Sequence, residues 1–160
     1  MSADERTITL RPATMDDREM VFRWRNDPFV VGHGSSLREI EWEDHKSWFE
    51  NTIFGGSRKM FIVIEQGNPI GQIRFDRQDL QAAVVSVYLL QAFAGRGLGV
   101  HAIRIGCEEI FETWEINKVI ACVRQDNLTA RSAFLKTGFR EADAAGTCPS
   151  KHFSLILARR

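Results

Sequence analysis

This sequence carries no net charge, few cysteines and no long apolar run. Its 21 Lys and Arg balance 21 Asp and Glu, for a formal charge of +0. Nucleic acid is gripped by clustered Lys and Arg, so the balance argues against bulk-charge binding to it and equally against a polybasic membrane anchor. The three cysteines, Cys107, Cys122 and Cys148, are odd in number and share no C-x-x-C spacing. Neither a disulfide framework nor a zinc site is expected from them. The four histidines show no ligand spacing either, so no metal is expected. A G-x-S-x-G elbow is absent, which excludes the common hydrolase arrangement. The most apolar stretch, Ala82 to Leu90, is broken by Ser86 and is far too short to span a bilayer. The polar, acidic start is neither a signal nor a transit peptide, and the expected compartment is the cytoplasm. No repeat or linker interrupts the chain, so residues 1–160 read as one domain.

What is present is unevenly placed. Residues 1–50 hold 11 acids and 7 bases, whereas residues 51–160 hold 10 acids and 14 bases. The hydrophobic period changes along the chain as well. Thr7 to Arg11 alternates as a strand, and Thr14-x-x-Asp17 is a capping box opening a helix to about Trp24. Asn26-Asp27-Pro28 stops that helix, and the glycines and serines of Val30 to Arg38 read as loop. Glu43 to Asn51 suits a short helix. Met60 to Glu65 and Ile70 to Phe75 form a hairpin around Gly67-Asn68-Pro69, followed by a central strand at Ala82 to Leu90. Val100, Ile103, Cys107, Ile110 and Trp114 mark one face of a long helix. A strand at Lys118 to Val123, a helix at Asn127 to Thr137 closed by Gly138, and strands at Phe139 to Ala142 and His152 to Leu157 complete the order. The fold class is α/β, with three antiparallel neighbours in the middle of the sheet.

The most informative segment is the turn Gly95-Arg96-Gly97-Leu98-Gly99, where a strand runs into a helix. Glycines let backbone approach a phosphate, and a helix N-terminus presents unpaired N–H groups with a favourable dipole. The spacing is neither the G-x-G-x-x-G of a dinucleotide fold nor the Gly-Lys-Ser/Thr of a Walker loop. Some 30 residues on comes Asn127-x-x-Ala130-x-x-x-Phe134-x-x-x-Gly138-Phe139. Together the two motifs resemble the GNAT superfamily of N-acetyltransferases, whose pyrophosphate loop, R/Q-x-x-G-x-G/A, falls on Ala94 to Gly99.

The resemblance implies a GNAT fold: a mixed, mostly antiparallel sheet with a splayed strand pair and flanking helices. It implies acetyl-CoA as co-substrate and direct attack by a primary amine in a ternary complex. Backbone amides of Ala94, Gly95, Arg96, Gly97, Leu98 and Gly99 are expected to hold the pyrophosphate. The strand end from Tyr88 through Leu89 to Leu90 is expected to pair with the pantetheine arm, with the Leu89 N–H polarising the thioester carbonyl. Asn127 is expected on the pantetheine, and Phe134 and Lys136 near the cofactor. Two positions depart from the pattern: Ala94 replaces the leading Arg or Gln, and Phe134 replaces the usual tyrosine acid.

Three further segments resemble the amino-sugar branch of that superfamily, which acts on UDP-linked 4-amino-4,6-dideoxy sugars of pseudaminic-acid biosynthesis, and more loosely the ribosomal-protein alanine acetyltransferases. They are Trp24-Arg25-Asn26-Asp27-Pro28, His45-x-x-Trp48-Phe49 and Gly71-Gln72-Ile73-Arg74-Phe75-Asp76-Arg77. The acceptor residues implied are Arg25, His45, Trp48, Arg74, Asp76 and Arg77. Arginine suits a diphosphate and the indole a base or sugar face. For the general base His45 is the first choice and His33 the second. Ser86 and Tyr88, on the strand facing the thioester, are candidates to hold a water or the substrate, and Tyr88 is the one phenol able to serve as acid. A small-molecule amine is the expected partner, probed against two alternatives: a protein N-terminus or other amine, and a non-catalytic acyl-CoA-binding module. Homodimers occur in the superfamily, and the sequence marks no interface.

Overall fold

The computed structural model describes residues 8–33, 38–143 and 146–160. The expected strand start at Thr7 and the loop residues Gly34, Ser35 and Ser36 lie outside them. Seven strands form one sheet in the order β1-β2-β3-β4-β5-β7-β6. They are β1 (Ile8–Pro12), β2 (Arg58–Glu65), β3 (Asn68–Arg77), β4 (Ala82–Leu89), β5 (Lys118–Arg124), β6 (Arg140–Glu141) and β7 (His152–Ala158). Five helices flank it: α1 (Arg18–Arg25), α2 (Pro28–His33), α3 (Trp42–Phe54), α4 (Leu98–Thr113) and α5 (Leu128–Lys136). All pairings are antiparallel except β4 with β5.

Local chemistry accounts for the boundaries. Thr14 caps a short 3₁₀ turn that leads into α1, and the Asp17 carboxylate accepts from the Thr14 N–H at 2.9 Å, the reciprocal capping box. Arg11 adds a two-pronged pair to Asp17 at 2.7 and 2.8 Å, tying β1 to that turn. The loop expected from Val30 contains the helix α2. Pro28 stands at its first position, where a missing N–H does no harm, and Asp27 Oδ1 accepts from Phe29 N–H at 3.0 Å. The β2–β3 hairpin turns on Gln66 and Gly67, both with positive φ (48° and 83°), the backbone hand that matches strand twist.

Period-2 alternation divides the core between the two faces. Phe61, Val63, Ile73, Phe75, Ala83 and Val85 pack against α4. Met60 and Ile62 pack against Val21 and Trp24 of α1 and Phe49 of α3 on the other face. Cys122 on β5 is bonded to Cys148 in the segment before β7, with Cα atoms 5.3 Å apart. This corrects the expectation of unpaired cysteines. The 26-residue separation hides a proximity that arises because β7 returns antiparallel beside β5, Ser154 opposite Cys122.

One contact determines how closely β3 and β4 run at their functional end. A Cβ added to Gly71 would lie 2.2 Å from the Tyr88 carbonyl oxygen and 2.9 Å from Leu89 Cα. Both are backbone, which cannot rotate away. Gly71→Ala is therefore expected to destabilise the fold by about 1–3 kcal/mol or more, read as a lower midpoint in chemical denaturation with an unchanged slope.

Candidate active site

β4 and β5 are paired only from Ala82–Lys118 to Val85–Ala121, and beyond that register they part. The rest of β4 therefore has β3 on one side and, among the described residues, no strand on the other. Leu90 N–H donates to Ile70 O at 2.9 Å, so Leu90 and Ile70 are a hydrogen-bonded pair. Antiparallel ladders alternate, so Leu89 opposite Gly71 and Val87 opposite Ile73 turn their N–H and C=O groups away from β3, into the opening. Such an orientation is what the expected role of Leu89 requires. It corrects that of Leu90, whose N–H is held by Ile70 and whose carbonyl accepts from Phe93 N–H at 2.9 Å. Val87, absent from the sequence-based expectation, has the same outward geometry as Leu89.

The glycine turn follows the end of β4 and leads into α4. Gly95 and Gly97 have φ of 79° and 77°, a conformation glycine adopts without penalty, and a Cβ on either would meet no atom within 4 Å. Gly97 is the N-cap of α4 and supplies no side-chain cap, so the first-turn amides of Leu98 and Gly99 lack an intrahelical partner. Leu98 contributes its backbone only, since its side chain is buried in the core. Three of the expected cofactor residues are engaged within the protein here. Ala94 N–H already donates to Gln91 O at 3.2 Å. Arg96 reaches across to the buried Glu65 of β2, with Nη1 to Oε1 at 3.0 Å, so its charge is answered within the protein. Phe134 is 4% exposed and packs edge-to-face on Phe139, a core residue. Asn127 caps α5 through its side-chain oxygen, accepting from Ala130 N–H at 3.2 Å, which leaves its amide NH2 for a ligand. Lys136 stands exposed in the last turn of α5.

On the α1/α3 face the cross-strand rows bring other residues together. Ile62, Gln72 and Tyr88 form one row, Met60, Arg74 and Ser86 the next, and Arg58, Asp76 and Val84 the third. Residues directly opposite point to the same side of a sheet. Trp48 of α3 is laid over by three guanidinium groups, with Arg25 at 3.9 Å from the ring centroid, Arg74 at 4.9 Å and Arg58 at 5.6 Å. Asp76 pairs with Arg74 at 2.8 Å and with Arg58 at 3.8 Å. Arg25 makes no ion pair among the described residues. Burial, and secondly the charge of Arg74, push its pKa down to about 10, so it remains a cation at neutral pH. Arg58 was missed in the sequence, though its place opposite Asp76 follows from the hairpin register.

Two expected acceptor residues are displaced from their roles. His45 is 0% exposed and both ring nitrogens are engaged. Nδ1 accepts from Arg25 Nη1 at 3.0 Å and Nε2–H donates to Arg18 O at 2.8 Å. Burial lowers its pKa, so it is a neutral imidazole that holds Arg25 in place rather than a base. Arg77 lies on the opposite face, its guanidinium 4.2 Å from the ring centroid of Trp114. Alternation requires this, because positions 74 and 77 differ by an odd number. The Tyr88 phenol is out of water and its pKa is raised by burial, against the opposing pull of Arg25 and Arg74. It can donate a hydrogen bond and is poorly suited to giving up its proton. Exposed His33 donates from Nδ1 to Phe29 O at 2.7 Å, at the end of α2. Among the described residues no cluster of His, Cys, Asp and Glu could hold a metal, and no helix is long and apolar enough to cross a membrane.

Residues 7–140 match the model of the acetyltransferase (GNAT) domain. The acetyltransferase PseH of Campylobacter jejuni is 24% identical over 121 residues, 76% of this chain and 75% of that protein. Its solved structure superposes with a TM-score of 0.71 at 18% identity, over 96% of this chain and 99% of the other. AAC(6')-Ib in complex with ribostamycin and coenzyme A superposes with a TM-score of 0.83 at 21% identity, over 96% and 94% of the two chains. Spermidine N-acetyltransferase from Vibrio cholerae, in complex with CoA and spermine, gives 0.81 at 15% identity over 96% of each. Likeness at these identities establishes the fold.

The buried His45 has a consequence for acid stability. Its folded-state pKa lies below the ordinary 6.5, so below that pH the unfolded chain binds more protons and stability falls as the pH is lowered; above it this contribution is constant. His45→Gln keeps a neutral hydrogen-bonding group. Thermal midpoints measured from pH 7.5 to 5.5 are expected to fall less steeply in that variant than in the native protein; equal slopes would show that His45 does not titrate with unfolding.

Proposed function

The chain belongs to the GNAT acetyltransferase family, and from that membership we propose that it acetylates the amine of an anionic acceptor, a nucleotide-linked amino sugar. Acetyl-CoA supplies the activated acetyl thioester. The residues fit such a co-substrate: outward-facing amides of Val87 and Leu89 for the pantetheine arm, and the uncapped start of α4 behind Gly95 and Gly97 for the pyrophosphate. Leu89 N–H is the donor assigned to the thioester oxygen. Asn127 NH2 remains for the arm.

The observation that carries the acceptor reading is the cationic wall on the other face. Arg25, Arg58 and Arg74 surround Trp48, with Asp76 as the carboxylate partner of Arg58 and Arg74. A diphosphate gains charge-assisted bonds there, and the indole edge suits a flat base or sugar face. A polycation such as a polyamine meets like charge instead. The relationship with PseH, over three quarters of both chains, supports the same class. The wall also bears on the proton. An ammonium beside Arg25 and Arg74 is disfavoured, so the free amine is the form that binds and its proton passes to water, with no side-chain base required.

Thiol release should therefore be at least about 10²-fold faster with a UDP-linked 4-amino-4,6-dideoxy sugar than with spermidine or a peptide N-terminus at equal concentration, a difference of about 2.7 kcal/mol. Comparable rates on spermidine would sink the acceptor reading. Arg25→Gln should raise the KM for the sugar nucleotide by roughly 10- to 100-fold, the loss expected for one charged hydrogen bond, with coenzyme A affinity unchanged. Gly97→Trp should abolish coenzyme A binding in calorimetry while the far-ultraviolet spectrum is retained; undiminished affinity would remove the turn from the cofactor site.

A further inference from the structure

The α1/α3 face contains a pair of polar side chains that the protein does not itself satisfy. Gln72 is 0% exposed, and among the described residues neither its Nε2 nor its Oε1 has a partner. Directly opposite on β4, the Tyr88 hydroxyl is also buried without a partner. Buried amides and phenols in native proteins are almost always hydrogen-bonded, and leaving them unpaired is among the heavier penalties a core can carry. Two such groups in one cross-strand row are harder to ascribe to chance than one.

Their location narrows what they are for. Tyr88 immediately precedes Leu89, whose backbone turns into the opening between β4 and β5. Arg74 and Ser86 form the adjoining row, and Trp24 of α1 meets the Tyr88 ring edge-on, with centroids 6.4 Å apart. The pair thus lies between the acylating end of the opening and the cationic wall. We propose that Gln72 and Tyr88 are the seat of the acceptor's reacting end. The Gln72 carbonyl oxygen accepts an N–H of the incoming neutral amine and so directs its lone pair. The Gln72 NH2 and the Tyr88 hydroxyl donate to an oxygen substituent beside it. Neither residue takes up a proton: a carboxamide is not basic, and the phenol stays protonated. This inference rests on the acetyltransferase reading and adds to it the chemistry of the acceptor, an amine flanked by a hydroxyl or ether oxygen.

A seat built for a ligand and a structural polar pair respond oppositely to removal. Deleting unsatisfied buried groups relieves the empty protein and removes contacts from the complex. Gln72→Leu, Tyr88→Phe and the double variant are compared with the native protein by thermal midpoint, coenzyme A titration and turnover of a UDP-linked 4-amino-4,6-dideoxy sugar. The expected result is a midpoint that holds or rises by a few degrees and a coenzyme A Kd within about twofold of native. The kcat/KM should fall by about 10- to 100-fold in each single variant. The double variant should lose less than the product of the two, because both groups hold one ligand. A midpoint lowered by several degrees, or a kcat/KM within about threefold of native, overturns the seat. If Gln72→Leu does not fold, Tyr88→Phe, which removes a single atom, supplies the same readings.

Native turnover is read separately. If spermidine or a peptide N-terminus is acetylated and the sugar nucleotide is not, the acceptor class fails, and the variants are scored on the amine that is used. There the same loss supports the seat and an unchanged rate overturns it. If no amine is acetylated, the midpoint decides: a rise supports a seat, and a fall overturns it.

Discussion

Between Val85 and Ser86 the fourth strand loses its neighbour, and the chemistry open to this protein depends on that separation. A paired strand presents no free backbone groups. Once β5 departs, Val87 and Leu89 offer amide and carbonyl groups to whatever enters, as an edge strand does. Where β4 ends, the chain passes through the glycine turn into α4, whose Gly99 lies near the Leu89 side chain. Leu98 and Ala102 fix α4 against the sheet from within the core. The fold therefore supplies a strand-like site and a helix N-terminus in line, which is what an extended arm carrying phosphates requires.

Charge is organised more finely than the residue counts suggest. The C-terminal part, residues 51–160, holds 14 of the 21 bases. Several are answered inside the protein: Arg96 by Glu65, Arg124 by Asp126 and by the carbonyl of Gly32, and Arg131 by Glu141. On the opposite face of the sheet Arg58 and Arg74 share the one carboxylate of Asp76, and Arg25 beside them makes no ion pair among the described residues. The proposed cofactor site thus rests chiefly on backbone dipoles and the proposed acceptor site on guanidinium groups. His45 belongs to the second arrangement as a support. A neutral, buried imidazole accepts from Arg25 without opposing its charge, which lets that cation stack on Trp48 at 3.9 Å.

Much of the fold was legible in the residues. The capping box at Thr14, the hairpin around Gly67, the five-residue stripe from Val100 to Trp114 and the stop at Gly138 are local signals, and each corresponds to an element boundary or face observed. α2 was not legible, because Pro28 reads equally as the stop of one helix and the first residue of the next. The Cys122–Cys148 bond was hidden for a different reason, since it depends on which strand lies beside β5. The opposite placement of Arg74 and Arg77 was recoverable from parity alone.

By itself the sequence determined the order of the strands and of the helices other than α2, the glycine turn before α4 and the set of residue types available for recognition. These follow from contacts a few residues apart, where propensity and spacing act directly. The tertiary structure alone decided which of those residues are usable. It closed both nitrogens of His45, turned Arg96 toward Glu65, aimed Leu89 outward and Leu90 inward, and left Gln72 and Tyr88 unsatisfied side by side. Each outcome is set by partners brought in from distant parts of the chain, and a hydrogen-bonding group's chemistry is fixed by whether its partner is already present.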